Sequence, residues 1–380
     1  ETEHSIWNFY NFESIVNDTV FDVELRNYFF YTYILLLVWV LKTVNLNRDT
    51  IHFKYLVTIF MASENFKLKS DFVFCCRFKI KHNKTYADEA EHSMRRGLFH
   101  QSMKRVIERN RQNKNYTLAI NKFADMTVEE KTKYMGCIRG KEKVKGTLSF
   151  PYSEIEIEEK AKNLSKEYDL RIHGYVSRVK NQFHCGSCWA FATTATVEGA
   201  LARTNGGRLM HLSQQALMDC SWAYGNNACD GGLDTHAYNW MIDHGLPSEE
   251  EYGPYTNAGM CKIASMTKIF PIRGFGVVPA YSNSALKIAL INHGPLTVQY
   301  DATDEFISYS GGILYDTTCS NDAWGINHEV SLVGYGEKDG AGFWIIKNSW
   351  GPEWGIEGYA HISVDKPCGI TAAASYVVMK

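Results

Sequence analysis

Cys185-Gly186-Ser187-Cys188-Trp189 opens a run of small residues, Ala190, Ala192, Ala195 and Ala200, that stops at Asn205-Gly206-Gly207. Few charges and a glycine stop predict an interior helix beginning at Cys188. A thiol there feels the positive end of the helix dipole, which favours the thiolate, the nucleophilic form. Gln182 stands six residues upstream, and His328 and Lys347-Asn348-Ser349-Trp350-Gly351 follow far downstream. An imidazole can exchange a proton with the thiol, Asn348 can steer the imidazole, and Gln182 can hold an oxyanion. Cys185 and Cys188 also have C-x2-C spacing, but no second pair follows at ligand spacing, so a metal is not expected.

The chain around this stretch changes texture along its length. Ser213 to Cys220 reads as a second helix, whereas Gly294–Val298, His328–Gly334 and Phe343–Lys347 read as strands between glycine-rich turns. Helices first and strands second predict an α+β domain from residue 165 to 380. In Ala228-Cys229-Asp230-Gly231-Gly232 the glycines allow a peptide backbone to approach closely.

The 380 residues carry a net charge of −2 and are 45% hydrophobic, which fits a globular protein with a sizeable core and gives no sign of a nucleic-acid partner. No cofactor is implied. Seven of the ten cysteines fall after residue 180, an odd number that fits three bridges and one free thiol. Bridges point to the secretory pathway, as do the sequons at Asn17, Asn83, Asn115 and Asn163.

Residues 71–130 are charged and helical in pattern, with Glu91, Arg95, Phe99, Val106 and Asn110 on one stripe. Residues 131–164 carry Lys141, Lys143 and Lys145 and then Glu154, Glu156, Glu158 and Glu159, and read as a solvated linker. Residues 1–70 match nothing and stay unassigned. Within them Tyr28 to Leu41 is apolar but shorter than the ~20 residues of a membrane span, so a membrane role is not expected. That run reads as an internal signal-like segment, a segment without function or, least of all, an anchor.

The Cys188 stretch with Gln182, His328 and Asn348 resembles the papain/cathepsin L family of cysteine peptidases, over about Asp71 to Lys380. Glu91, Arg95, Phe99 and Asn110, with Ser102 and Val106 in place of an Asn and an Ile, resemble the family's first pro-segment motif. Asn121, Phe123 and Asp125, with Ala119 in place of Gly, resemble the second. The resemblance is nearest to insect cathepsins. It implies a helical inhibitory pro-segment at 71–130, a processing linker at 131–164, and a two-lobed peptidase with a helical lobe and an antiparallel barrel-like lobe. It implies catalysis by Cys188 and His328 with Asn348 and Gln182, a His328–Asn348 bond shielded by Trp350, and bridges Cys185–Cys229, Cys220–Cys261 and Cys319–Cys368. Gly231, Gly232, Leu233, Gln299, Ile326, Glu329, Ala373 and Trp350 would bind substrate. Such a protein is a lysosomal or secreted monomer whose partners are peptide and protein substrates and its own pro-segment, with self-cleavage in the linker on acidification.

Three departures matter. Glu329 follows the catalytic His where the family carries Ala. It either turns to solvent or places a carboxylate in a pocket wall, where it would favour a basic side chain. Phe183 replaces a Gly and would crowd Gln182, and Leu170 replaces a Trp. No insertion that closes the cleft is evident, so an endopeptidase is expected. The alternative is a catalytically impaired homologue acting as a binding protein, which should lack one of the four catalytic groups.

Overall fold

The computed structural model describes residues 74–380 apart from 113, 139–144, 258 and 323–324. The compact unit Cys75–Lys380 is the part described here. Residues 1–70, with the Asn17 sequon and the Tyr28–Leu41 run, lie outside the described residues. Among those described, no helix is long and apolar enough to cross a membrane.

The helix predicted from Cys188 runs over Cys188–Thr204 and is buried along most of its length. Small residues make that burial possible. A Cβ at Gly199 would meet the Pro295 ring at 2.3 Å, which shows how closely the helix approaches the strand-rich half. Around it, the helices Gln214–Cys220 and Asp234–His244 enclose a core that includes Val197, Leu217, Tyr238 and Trp240. Ser213 caps the former through its side chain, which accepts from Ala216 N–H.

Leu246–Pro247 and Ile269–Phe270 pair with each other, and the other nine described strands form one sheet. In chain order they are β1 (Tyr116–Leu118), β2 (Tyr168–Asp169), β3 (Ile272–Val277), β4 (Leu296–Tyr300), β5 (Tyr309–Leu314), β6 (His328–Lys338), β7 (Ala341–Lys347), β8 (Tyr359–Ser363) and β9 (Ala374–Met379). Their spatial order is β1-β5-β8-β7-β6-β4-β9-β3, with β2 also paired to β6. Pairing is antiparallel except between β8 and β5, which are parallel. The first nine residues of β6 are all buried, because the Cys188 helix packs against this strand as well. His328 therefore starts β6 at the line where helix and sheet meet.

Cys185–Cys229 and Cys220–Cys261 brace the helical half, and Cys319–Cys368 ties loops beside the sheet.

The charged N-terminal segment folds around the helix Glu89–Asn110, capped by the Asp88 side chain. Phe99, Ser102 and Val106 are its buried face, and Ser102 Oγ–H donates to the Ala124 carbonyl at 2.8 Å. One turn before Phe99 on the same stripe, Arg95 pairs with Glu91 and Glu130. The segment then supplies β1 to the sheet edge, where Tyr116 faces Gly312. Gly312 needs to be glycine: its φ is +76°, and a Cβ would lie 2.2 Å from the Asn115 carbonyl oxygen.

The described residues of 131–164 form more regular structure than their charge implies. A capping box at Ser153 and Glu156 starts a helix, Glu154–Ala161, which buries Ile157 and lies against the helix Asn283–His293. Just before it, Leu148 N–H donates to the Phe275 carbonyl at 2.9 Å, extending the edge of β3. Charge counts cannot reveal such backbone pairing, because the backbone carries no composition signal.

Candidate active site

Cys188 is the first residue of its helix and is fully buried. The cap residue Ser187 makes no side-chain capping bond, so the helix end keeps its positive character toward the sulfur. Burial nevertheless pushes the thiol up to about 12, and the neighbouring Glu329 carboxyl adds to this. The sulfur accepts a hydrogen bond from Gly136 N–H at 3.2 Å.

His328 Nε2 and Asn348 Oδ1 are 2.9 Å apart. Asn348 Oδ1 also accepts from Ser349 N–H at 2.8 Å, which identifies that atom as the amide oxygen. Nε2 is therefore the protonated nitrogen and Nδ1 the basic one. Nδ1 is buried and makes no hydrogen bond, to Cys188 or to any other described group. Burial lowers His328 to about 4. Thiol and imidazole are thus both held neutral here. The Trp350 ring lies 4.8 Å from that of His328 and packs on Phe123, Phe306 and Trp354, so an indole covers the histidine rather than lining a substrate pocket.

Gln182 is oriented by Ser349, whose hydroxyl donates to Oε1 at 2.6 Å. Its Nε2 donates to the carbonyls of Cys185, at 2.7 Å, and Tyr134, at 2.9 Å. A carbonyl oxygen thus already sits on the group expected to hold an oxyanion. Phe183 does not crowd Gln182. It is 57% exposed, with φ at +51°, because that backbone turn directs its side chain outward.

The residues doing the blocking come from Tyr134–Ile138, inside the stretch read as a linker. Gly232 N–H donates to Gly136 O at 2.9 Å, Ile138 N–H donates to Gly232 O at 3.1 Å, and Cys137 N–H donates to Asn327 O at 3.2 Å. Gly136 passes so close that a Cβ would lie 1.7 Å from the Gly186 carbonyl oxygen. Gly232 is equally constrained, since a Cβ there would meet the Trp189 ring at 2.6 Å, and Gly231 has φ at +113°. Sequence reasoning missed Tyr134, Gly136 and Cys137. The signal available was faint: the run Tyr134–Ile138 is apolar or small among charged neighbours.

The expected pocket residues lie close together. Gln299 is paired with Glu329 across β4 and β6, and its N–H donates to Ala373 O at 3.1 Å. Leu233 and Ile326 are buried. Glu329 is 0% exposed, so the solvent-facing alternative is excluded. The Cys137 thiol donates to Glu329 Oε1 at 3.6 Å, while Oε2 is buried without a partner. Burial and the nearby Asp234 raise the Glu329 carboxyl well above its usual range. Among the described residues no group of three or more His, Cys, Asp or Glu side chains could hold a metal ion.

Comparison with known proteins follows this geometry. Residues 164–378 match the papain family of cysteine proteases, and residues 76–130 match the cathepsin propeptide inhibitor domain. Human cathepsin L2 is 38% identical over 313 residues, 79% of this chain and 90% of that protein. Pro-cathepsin H of Medicago truncatula is 36% identical over 307 residues, 80% of this chain and 85% of that protein. Among solved structures, digestive procathepsin L 3 from the larval midgut of Tenebrio molitor is 36% identical with a TM-score of 0.70, covering 81% of this chain and 99% of its own. The recombinant stem bromelain precursor gives 31% and 0.72, with 82% and 99% covered. Three disulfides of the expected pairing and these matches place the chain in the papain family of cysteine proteases, with a cathepsin propeptide ahead of the protease domain.

Proposed function

We propose that this protein is the zymogen of a cysteine endopeptidase in which Cys188 is the nucleophile and His328 the acid–base group. Once the cleft is uncovered, the Cys188 proton passes to His328 Nδ1, giving a thiolate and an imidazolium. The thiolate attacks the peptide carbonyl, and the oxyanion takes hydrogen bonds from Gln182 Nε2–H and Cys188 N–H. His328 then protonates the leaving amine as the C–N bond breaks, leaving a thioester. Water attacks the thioester, His328 takes its proton, and the acid product leaves as the thiolate is restored. Asn348 keeps the imidazole in the tautomer this sequence needs, and the Trp350 ring covers the histidine.

The observation that carries the reading is the Tyr134–Ile138 strand. A polypeptide backbone lies across Gln182, Cys188 and Gly232, bonded to them through Tyr134, Gly136 and Ile138. A cleft that passes a chain through suits internal peptide bonds, hence an endopeptidase. The same strand occupies the oxyanion donor and the nucleophile, hence inhibition. The linker remains the proposed processing region, and residues 71–130 and 165–380 the inhibitor and peptidase units. Three disulfides and exposed sequons at Asn83 and Asn163 support passage through the secretory pathway to a lysosome or the exterior, as a monomer. All four expected catalytic groups are present, which disfavours the impaired-homologue reading.

The test is hydrolysis of a fluorogenic peptide before and after acid treatment, with Cys188→Ser and His328→Ala as controls. Activity should appear only after acid and only in the wild type. Hydrolysis by acid-treated Cys188→Ser protein would refute the proposal.

A further inference from the structure

We infer that Glu329, backed by Asp234, makes the pocket now entered by Cys137 a cation-accepting subsite, so that the mature enzyme selects substrates with lysine or arginine in it. By the family resemblance this pocket takes the residue preceding the one whose carbonyl is attacked. The inference rests on the peptidase reading above.

Glu329 is fully buried, and its Oε2 lacks any partner. The Cys137 thiol, the Asp234 N–H and the Gln299 side chain favour the charged form of the group, but burial outweighs them, and no cation is paired with it among the described residues. Asp234, the first residue of its helix, is also buried. Its own oxygens are satisfied, Oδ1 by Thr235 N–H at 2.7 Å and Oδ2 by the Ser375 hydroxyl. Asp234 therefore adds negative charge while requiring no donor from a ligand. Neither carboxyl has an ion-pair partner among the described residues. The occupant in the zymogen is the Cys137 thiol, a small, weak donor. Once the strand leaves, the place of the Cys137 thiol is open beside a buried carboxyl with one oxygen unbonded and a second carboxyl, Asp234, near it. A lysine or arginine side chain suits this: its methylene stem tolerates burial, and its cationic head supplies the charge and the donor that the thiol lacks.

The test compares kcat/KM of the acid-activated enzyme on peptides identical except at that residue, which is Arg, Lys or Leu. Charge-assisted hydrogen bonds of this kind predict a preference for Arg and Lys over Leu of roughly 10- to 100-fold. Glu329→Gln should erase the preference while the Leu peptide is still cleaved, and Asp234→Asn should reduce it. A second readout uses the full chain. Cys137→Arg places a guanidinium in the pocket and should slow acid activation, and Glu329→Gln in the same chain should restore the rate. Equal or better cleavage of the Leu peptide by the wild type, or an unchanged preference in Glu329→Gln, would overturn the inference. Failure to cleave any of the peptides would instead overturn the peptidase reading, and this inference with it.

Discussion

Replacing Gly136 by alanine should unlock the zymogen without touching the peptidase. The backbone at Gly136 is not in the left-handed region, so alanine meets no conformational objection, only a steric one. Its Cβ would stand 1.7 Å from Gly186 O and 2.3 Å from Gly186 C, where contacts under about 3 Å essentially never occur. Both atoms are backbone at the disulfide-braced Cys185 turn, so the strand must lift instead. Lifting breaks Gly136 N–H to Cys188 Sγ at 3.2 Å and Gly232 N–H to Gly136 O at 2.9 Å, and it strains Gln182 Nε2–H to Tyr134 O at 2.9 Å. At a net ~1 kcal/mol per hydrogen bond, losing two or three weakens the docking by about 2–3 kcal/mol. That corresponds to a roughly 30- to 150-fold larger open population. The assay is the rate at which a peptidyl epoxide alkylates the intact zymogen at neutral pH. The control is Gly97→Ala, where a Cβ meets nothing within 4 Å. Gly136→Ala alkylated as slowly as wild type would refute the reasoning that this backbone contact is what closes the site.

Further outcomes follow from the same geometry. Lowering the pH should release the strand mainly between the ordinary histidine value of ~6.5 and 4. Burial holds His184, whose ring lies tilted against Tyr134 at 4.8 Å, below its usual value, and burial lowers His328 to about 4. Both bind a proton more readily once uncovered, so docking is full above ~6.5 and weakens as the pH falls. Asp304 acts later: burial opposes ionisation, but Lys131 and Arg105 hold its carboxyl low, so its contribution is lost only below the usual carboxylate value of ~3.9. Limited proteolysis of a Cys188→Ala zymogen across this range measures it, and docking unaffected down to pH 4 would contradict the histidine account. Gln182→Ala should lower kcat of the mature enzyme by ~10²–10³, and a smaller loss than tenfold would remove Gln182 from the oxyanion site. Phe183→Gly should leave kcat unchanged and relieve a left-handed φ that costs a non-glycine residue about 1 kcal/mol. Melting temperature and turnover report the two parts separately, and a large fall in turnover would mean that Phe183 touches the chemistry.

The site's chemistry was legible because it resides in side chains. Cys188 on a helix start, His328 on a strand start, Asn348 and Gln182 are residue types whose reactivity follows from their identity. The Glu89–Asn110 helix was legible for a related reason, since the spacing of Phe99, Val106 and Asn110 encodes a face. What stayed hidden depends on backbone. Gly136 seals the site through an N–H, a carbonyl and a missing Cβ, none of which has a compositional signature. Likewise the linker's edge pairing at Leu148 and the helix at Glu154–Ala161 lay under a charge run that reads as solvated surface. Glu329 shows a third limit. A carboxylate after the histidine is visible in the sequence, but whether it faces water or a closed pocket is decided by the burial of β6 against the Cys188 helix. Phe183 is the converse: bulk next to Gln182 signalled crowding, and a left-handed backbone turned it outward.

The most direct measurement is the site and timing of alkylation by an irreversible peptidyl epoxide, read by mass spectrometry of the digested protein. One adduct on the peptide containing Cys188, appearing after acid treatment and absent before it, is the predicted result. An adduct on Cys75, Cys76 or Cys137 in place of Cys188, or full labelling of Cys188 in the untreated zymogen, would contradict a nucleophile masked by its own leader strand.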